Sequence, residues 1–166
     1  MKQLSFKNAQ VITDSFLRPN LKYSIHKVPV KIHTLRNILN TLKGNAIIYC
    51  NTRSNVSQLA QLLNAYGYQV GEYHAGMTLE ARKQVQFNWM QEITPIVVCT
   101  SAFGMGINKG NVRTVIHYDI PGSIEQYYQE AGRAGRDGAF AEALLLYQQN
   151  DWDYWIELQE KKYPSI

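Results

Sequence analysis

Two arginines, Arg133 and Arg136, are three residues apart, and each directly follows a glycine. Arginine carries a planar, permanently charged guanidinium group whose donors match phosphate oxygens. A neighbouring glycine adds no side-chain bulk, so an anionic ligand can approach closely. This spacing suits a clamp on a phosphate group or on the charged transition state of phosphoryl transfer, and it equally suits a solvated basic turn. The residue types alone leave both interpretations open.

A helix must position the arginine pair, and the residues before the pair predict one. Ser123 is followed three residues later by Gln126 and then by apolar residues, which is typical of a capping box at a helix start. We expect this helix to run through Tyr127 and Tyr128 and to loosen at Gly132, because glycine is a poor helix former. The arginines would then project from the helix end and from the turn after it.

Residues 129–138 resemble motif VI of RecQ-family DNA helicases, which has the form Gln-Glu-x-Gly-Arg-Ala-Gly-Arg-Asp-Gly. This run is far more specific than the Gly-Arg-x-Gly-Arg pattern that many related helicases share. The resemblance implies that Arg136, assisted by Arg133, stabilises charge on the γ-phosphate of ATP, and that Gln129 senses the nucleotide. It favours the phosphate clamp over the basic turn.

Short continuous apolar segments alternate with segments of helical periodicity along the chain. This order predicts βαβ units, and therefore an α/β fold with a mostly parallel sheet and helices on both faces. The resemblance adds that this would be a three-layer, RecA-like lobe. Strands are expected at residues 23–28, 46–50, 68–73, 95–99, 112–118 and 143–147, a short strand at 11–13, and a terminal helix around 152–156.

Ligands of parallel sheets collect beyond the carboxyl ends of the strands. We expect four turns at that edge, namely residues 51–54, 74–77, 100–109 and 119–122. The first begins a helix, where free N–H groups attract phosphate, although Thr52 or Ser54 can also simply cap the helix there. In the third turn, the hydroxyls of Thr100 and Ser101 can grip a nucleic-acid phosphate. Asp119, in the fourth, either orients an arginine or caps its own turn.

Three of these turns extend the resemblance to RecQ proteins. Residues 49–53 look like motif IV, residues 73–77 like a Tyr-His-Ala-Gly-Leu segment with Met77 in place of leucine, and residues 102–109 like motif V. Motif IV implies contact with the DNA backbone. The predicted DNA-binding residues are Asn51, Arg53, His74, Thr100 and Ser101, although a lone histidine is also commonly structural. The predicted nucleotide-binding residues are Gly106, Asn108 and Gln129.

The phosphate-cradling half of a motor ATPase is missing from the sequence, which has no Gly-x-x-x-x-Gly-Lys-(Ser/Thr) loop and no Asp-Glu-x-His quartet. The resemblance therefore implies a second motor lobe alone at residues 22–151, after an interlobe linker at 1–21 and before a terminal helix at 152–166. ATP and Mg²⁺ would be held mainly by a first lobe in cis, with DNA as the track. The isolated chain would be inactive.

Composition sets wider limits. The chain has 166 residues, 45% hydrophobic and 18% charged, which suits one soluble domain, and its net charge of +4 permits a polyanionic partner without demanding one. It has no apolar run of membrane-spanning length and no signal-peptide pattern. We expect an intracellular protein with no membrane partner, either cytoplasmic at a bacterial nucleoid or nuclear.

The cysteines and histidines do not predict a metal site. Cys50 and Cys99 each end a predicted buried strand, and the four histidines lack ligand spacing, so we expect reduced core thiols and no bound metal.

Other functions remain as alternatives. One is the lobe of another superfamily 2 helicase, such as a DEAD-box RNA helicase, although those usually carry His-Arg-x-Gly-Arg where this chain has residues 129–133. Another is a non-catalytic DNA-binding module. A stand-alone α/β enzyme is disfavoured because no nucleophile–base pair stands out in the sequence.

Overall fold

The computed structural model of the chain describes residues 17–104 and 107–162. Strands and helices alternate through these residues, and the predicted segments recur with boundaries shifted by a few residues. The predicted strand at residues 11–13 lies outside the described part. In chain order the elements are β1 (Leu21–Lys27), α1 (Lys31–Asn40), β2 (Asn45–Tyr49), α2 (Arg53–Ala65), β3 (Val70–Tyr73), α3 (Leu79–Met90), β4 (Ile96–Cys99), β5 (Val112–His117), α4 (Ile124–Ala131), β6 (Ala141–Tyr147) and α5 (Gln149–Lys162).

The strands form one six-stranded sheet in the order β1-β6-β5-β2-β4-β3, and every strand pair in it is parallel. Strands β2 and β4 are buried along their whole length. Their continuous apolar sequences follow from this position, because a strand covered on both faces has no solvent side to make polar.

Helices cover both faces of the sheet. Leu35 of α1 and Leu63 of α2 pack with Ile48 on one face. Trp89 of α3 and Ala131 of α4 pack with Ile47 on the other face. Neighbouring residues of β2 thus point into opposite cores, as the two-residue period of a strand requires. The predicted three-layer α/β fold is confirmed.

Polar side chains cap the N-termini of three helices, α2, α3 and α4. Ser123 accepts a hydrogen bond from the backbone N–H of Gln126, and Gln126 accepts one from the N–H of Gly122 rather than from Ser123 itself. The cap is therefore a variant of the expected capping box, closed one residue earlier. The N-cap residues of α2 and α3, Thr52 and Thr78, accept hydrogen bonds in the same way.

The carboxyl ends of all six strands lie at one edge, which carries residues 51–54, 74–77 and 119–122. Residues 100–109 differ from the expectation. They leave this edge after β4, but they must reach the opposite edge to enter the parallel strand β5. Only the start of that segment lies at the carboxyl edge.

Candidate nucleotide and nucleic-acid site

A tight turn after α4 presents the arginine pair. The helix ends at Gly132, as predicted, and Gly135 has a φ of +59°, in the left-handed region that favours glycine. The carbonyl of Gly135 accepts hydrogen bonds from Arg18 Nη2 at 2.7 Å and from Asn20 Nδ2 at 2.8 Å. Its N–H donates to the carbonyl of Val112 at 2.8 Å. The turn is thus fastened both to β5 and to the segment that precedes β1.

Arg133 is half-buried and lies against the backbone of Gly104. Its Nη1 donates to the Gly104 carbonyl, and a Cβ placed on Gly104 would lie 2.5 Å from Arg133 Cζ. Gly104 also has a φ of +100°. Burial raises the pKa of the neighbouring Tyr49 well above its usual range, while the Arg133 guanidinium opposes that rise. The contact with Gly104 thus holds the Arg133 guanidinium in place.

Arg136 is exposed, and its contacts are long. Its Nε lies 3.4 Å from the carbonyl oxygen of Gly132, and its Nη1 lies 3.3 Å from that of Ile107. The neighbouring Asp137 carboxylate pairs with Arg113 instead. The hydrogen bond from Arg113 also holds the pKa of Asp137 below its usual range. The Arg136 guanidinium is thus oriented by two carbonyls and still open to solvent.

Two of the three predicted nucleotide-binding residues, Gln129 and Asn108, are described, and both lie near this turn. Gln129 is exposed on α4. Asn108 is also exposed, and it directly follows Ile107, whose carbonyl receives Arg136. Lys109 is buried and donates to the carbonyl of Met90 at 3.1 Å, which anchors the end of the segment on α3. Gly106 lies outside the described residues.

At the carboxyl edge, Asn51 ties two strands together. Its N–H donates to Asp119 Oδ2 at 2.9 Å, and its side-chain Nδ2 donates to the carbonyl of Ile120 at 2.8 Å. Asp119 also accepts a hydrogen bond from Asn55 Nδ2 at 3.0 Å. The side-chain partners of Asp119 are thus Asn51, Asn55 and, at 3.9 Å, Lys31, so Asp119 joins its turn to the start of α2 and matches neither of the two alternatives.

The other predicted DNA-binding residues lie along the same edge. Arg53 and His74 converge on Gly76, where an added Cβ would lie 3.0 Å from Arg53 Nη1 and 3.3 Å from His74 Nδ1. The backbone N–H of Thr100 donates to the carbonyl of Tyr73 at 3.2 Å, and Ser101 is exposed beside it in the chain. Residues 51–53, the His74 segment and residues 100–101 therefore follow the ends of neighbouring strands.

The structure divides the predicted residues into two groups. The arginine turn is hydrogen-bonded to the start of β5, whereas the predicted DNA-binding residues follow the ends of β2, β3 and β4. The segment that begins at Thr100 joins the groups, because Gly104 contacts Arg133 and Ile107 contacts Arg136.

A buried contact between His117 and Glu130, which the sequence analysis missed, holds α4 against β5. His117 Nε2 lies 2.9 Å from Glu130 Oε2, and both side chains are at most 5% exposed. Gln126 donates to the other Glu130 oxygen at 3.1 Å. Gln126 and Glu130 are four residues apart, which predicts that their side chains meet on one face of a helix. No local sequence pattern predicts the contact between Glu130 and His117.

The cysteines are buried and unpaired, as expected. Within residues 17–104 and 107–162, no three His, Cys, Asp or Glu side chains gather as metal ligands. None of the helices in those ranges has the length and hydropathy needed to cross a membrane.

Comparison with known proteins identifies the family. Residues 30–138 match the model of the helicase conserved C-terminal domain. The chain is 43% identical to the ATP-dependent DNA helicase RecQ of Haemophilus influenzae, over 99% of this chain and 27% of that protein. It is 42% identical to the protein of the same name from Pasteurella multocida, with the same coverage. It is 39% identical to the RecQ-like DNA helicase blm-1 of Caenorhabditis elegans, over 89% of this chain and 15% of that protein.

The chain thus spans about a quarter or less of the length of these relatives. Among solved structures, a DEAD box protein from Methanococcus jannaschii superposes with a TM-score of 0.71 at 23% identity, covering 87% of this chain and 41% of that one. This likeness shows the fold alone and agrees with a RecA-like lobe. By its sequence and its fold, the chain belongs to the family of helicase conserved C-terminal domains, and within that family to the RecQ type.

Proposed function

We propose that this chain is the second motor lobe of an ATP-dependent RecQ-type DNA helicase. Arg136 and Arg133 face ATP bound between two lobes, with Gln129 and Asn108 beside it. A first lobe in the same polypeptide supplies the phosphate loop and holds Mg²⁺, the ion that neutralises phosphate charge during transfer. The family match and the names of the relatives support this assignment.

The exposed guanidinium of Arg136 carries the proposal. A charge that is already aimed before the reaction stabilises a transition state without reorganising. The carbonyls of Gly132 and Ile107 aim Arg136 while leaving it open to solvent, and the half-buried Arg133 sits one turn earlier on Gly104. The two arginines then have different roles. Arg133 shapes the surface at Gly104, and Arg136 reaches the γ-phosphate of ATP.

The carboxyl edge is proposed to hold one DNA strand by its backbone. Arg53 and His74 offer cationic and ring N–H donors, Thr100 and Ser101 offer hydroxyls, and Asn51 holds the strand ends in register. None of these groups reads a base sequence by itself, so this contact is independent of sequence and weakens as salt rises.

Residues 100–109 are proposed to couple the two groups. The segment begins beside Tyr73 at the DNA edge and passes Gly104 and Ile107 at the arginine turn. A displacement of the arginines on ATP binding is therefore carried along one short connection to the strand ends. Closing and opening of the two lobes then steps the protein along the DNA.

Two further statements follow from this role. The isolated 166-residue chain does not hydrolyse ATP, because its sequence lacks the phosphate-cradling loop and its lysine. The protein works where DNA is, in the cytoplasm at a bacterial nucleoid or in a nucleus.

The test is Arg136→Ala in a two-lobe protein that contains this chain. DNA-stimulated ATP hydrolysis should fall about a thousandfold or more, the effect of removing such an arginine from other phosphoryl-transfer enzymes. Arg36→Ala is the matched control, because the Arg36 guanidinium lies 4.2 Å from the centre of the Tyr66 ring, on the α1–α2 side of the sheet. Its ATPase rate should be unchanged.

Full ATPase activity in the Arg136→Ala protein would contradict the proposal. A non-catalytic DNA-binding module would instead bind DNA in a salt-dependent manner and show no ATP hydrolysis in any variant. ATP hydrolysis stimulated by RNA and not by DNA would favour an RNA helicase of the DEAD-box kind.

A further inference from the structure

Two side chains that precede β1 hold the turn that carries the arginine pair. Arg18 Nη2 donates to the carbonyl of Gly135 at 2.7 Å and to that of Ala134 at 3.1 Å. Asn20 Nδ2 donates to the same Gly135 carbonyl at 2.8 Å and to that of Ala139 at 2.9 Å. One short segment thus binds three backbone carbonyls that lie 115 to 119 residues further along the chain.

The carbonyl of Gly135 belongs to the peptide bond that joins Gly135 to Arg136. A carbonyl oxygen has two lone pairs, and here Arg18 and Asn20 supply one donor to each. The donor from Arg18 is charged, which makes it the stronger class of hydrogen bond. Because a peptide bond is planar, the direction of this carbonyl also sets the position of the Arg136 Cα atom. Arg18 and Asn20 therefore orient the backbone from which the Arg136 side chain projects.

The fit between Asn20 and the turn is close. A Cβ placed on Gly135 would lie 2.7 Å from Asn20 Nδ2, so a side chain at this position would push Asn20 away from the carbonyl. Glycine is needed at position 135 for the approach of Asn20 as well as for its positive φ.

The N–H groups of the turn bind a different part of the molecule. The N–H of Gly135 donates to the carbonyl of Val112 at 2.8 Å, and the N–H of Asp137 donates to that of Gly110 at 3.3 Å. These bonds fix one side of the turn to the start of β5. The carbonyl side is fixed to the segment before β1. The side-chain contacts of Arg136 are long, at 3.3 Å and 3.4 Å, so its direction depends on how the backbone of the turn is held.

The segment before β1 is itself fastened to the sheet. The carbonyl of Arg18 accepts a hydrogen bond from the N–H of Leu21 at 3.0 Å, and the carbonyl of Asn20 accepts one from the N–H of Ala141 at 2.9 Å. In the proposed two-lobe protein, residues 1–21 form the connection to the first lobe. The connection between the lobes and the backbone of Arg136 are then in direct contact.

We propose that Arg18 and Asn20 are positioning residues for Arg136. They hold the peptide bond between Gly135 and Arg136 against the interlobe connection, so that Arg136 follows the connection when the lobes close on ATP. This inference rests on the proposed function, because it needs a first lobe in the same polypeptide and an Arg136 side chain that faces ATP.

Steady-state ATP hydrolysis by the two-lobe protein, stimulated by DNA, tests the inference. Arg18→Ala should lower kcat about a hundredfold, the usual effect of moving a catalytic group by about 1 Å. The KM for ATP should change by less than about twofold, because the lost interaction is one that Arg136 makes in the transition state. Arg18→Lys keeps the charge and one donor group, so it should recover part of kcat. Lys22→Ala is the matched control, since Lys22 pairs with Glu142 and its side chain is 60% exposed. Its kcat should be unchanged.

A double variant separates positioning from a general structural role. If Arg18 acts through Arg136, the protein with Arg18→Ala and Arg136→Ala should hydrolyse ATP no more slowly than the protein with Arg136→Ala alone. Single-turnover measurements with the protein in excess over ATP give access to these slow rates. Losses that multiply in the double variant would overturn the proposal, because Arg18 would then act independently of Arg136.

Asn20→Asp tests the same contact if Arg18→Ala fails to fold. This change keeps the size of the side chain and replaces its N–H donors with a carboxylate oxygen that faces the carbonyls of Gly135 and Ala139. It should lower kcat in the same way, again with no further loss when Arg136→Ala is added. Circular dichroism and urea unfolding of each variant check that the fold is retained.

The outcomes distinguish this inference from the proposed function. A slow Arg136→Ala protein, together with Arg18→Ala and Asn20→Asp proteins at the wild-type rate, would overturn the positioning role and leave the proposed function intact. An Arg18→Ala protein with a raised KM and an unchanged kcat would overturn it as well. Full activity of Arg136→Ala would contradict the proposed function and this inference together.

Discussion

The two arginines of the turn after α4 differ in what surrounds them. Arg133 is half-buried against the backbone of Gly104, and Arg136 is exposed with two long contacts to carbonyl oxygens. A guanidinium that is packed on backbone cannot move without moving the segment beneath it. The conformation of Gly104 therefore decides where Arg133 lies.

Gly104→Ala should destabilise the chain and displace Arg133. The new methyl group would lie 2.5 Å from Arg133 Cζ, at a φ of +100°. Gly67→Ala is the matched control, because Gly67 has a φ of +88° and nothing lies within 4 Å of an added Cβ. Gly67→Ala should lower the free energy of unfolding only by the cost of the backbone strain, about 1–2 kcal/mol. Gly104→Ala should lose about 1–3 kcal/mol more, measured as the free energy of unfolding in urea. Equal losses in the two variants would show that the Arg133 packing is unimportant.

Sequence patterns identify those functional residues that lie close to one another along the chain. The arginine pair and the loosening of the helix at Gly132 follow from types and spacing within a few positions. The sequence places Arg18 only in a linker, yet its side chain donates a hydrogen bond to the carbonyl of Gly135, 117 residues away. Such a contact pairs a side chain with a distant carbonyl, and every residue has a carbonyl, so no sequence pattern marks it.

Among the elements, α1 and α5 are joined through buried charge. Lys31, the first residue of α1, reaches Asp151 in the first turn of α5 and Asp119 after β5. Removing one partner of a buried ion pair leaves the other without compensation, which is far more costly than breaking an exposed pair.

Lys31→Met should therefore lower the free energy of unfolding by about 3 kcal/mol. Lys22→Met is the control, because Lys22 pairs with Glu142 at 3.1 Å while its side chain is 60% exposed. The control should cost less than about 1 kcal/mol. Urea denaturation of both variants measures the difference. Similar small losses would mean that Lys31 does not hold α5 in place.

The extents of the elements were predicted less well than their order. Strand β1 was expected at residues 23–28, but it begins at Leu21, where it pairs with Ala141 of β6. A strand extends as far as its neighbour offers partners, and the neighbour of β1 is distant in sequence. In the same way, the local sequence of residues 100–109 predicts a turn at one edge, because a single turn carries no information about the direction of the next strand. Only the direction of β5 shows that the segment must cross the sheet.

Across the whole molecule, the buried acidic groups set how stability responds to alkaline pH. Burial raises the pKa values of the Cys50 and Cys99 thiols and of the Tyr49 hydroxyl well above their usual ranges. Burial also raises the pKa of Tyr118 to about 12, with Cys50 and Asp119 adding to the shift. In the unfolded chain these groups ionise at about 8.5 for a thiol and about 10 for a tyrosine.

Stability should therefore be full below about pH 8 and fall as the pH rises toward about 11, because the unfolded state then releases protons that the folded state keeps. The midpoint of urea unfolding, measured along this pH range, checks the direction. Recovery of the midpoint on return to neutral pH excludes chemical damage. A midpoint that stays constant, or rises, would show that these groups are not buried as described.

Across the whole molecule, the predicted nucleotide-binding residues and the predicted DNA-binding residues lie in two separate groups. The segment that begins at Thr100 connects them. Under the proposed function, the arginine turn faces ATP, and the ends of β2, β3 and β4 face DNA. A lobe arranged in this way can convert a change at the nucleotide into a change at the strand ends, provided that Arg136 does reach the nucleotide.

The most direct test is a crystal structure of the two-lobe protein with ADP, Mg²⁺ and a fluoroaluminate in place of the transferred phosphoryl group. The distance to measure joins a guanidinium nitrogen of Arg136 to the nearest fluoride or oxygen of that group. We expect about 2.7–2.9 Å, the length of a charge-assisted hydrogen bond. An Arg136 side chain that points to solvent while the nucleotide is bound between the lobes would contradict the central claim.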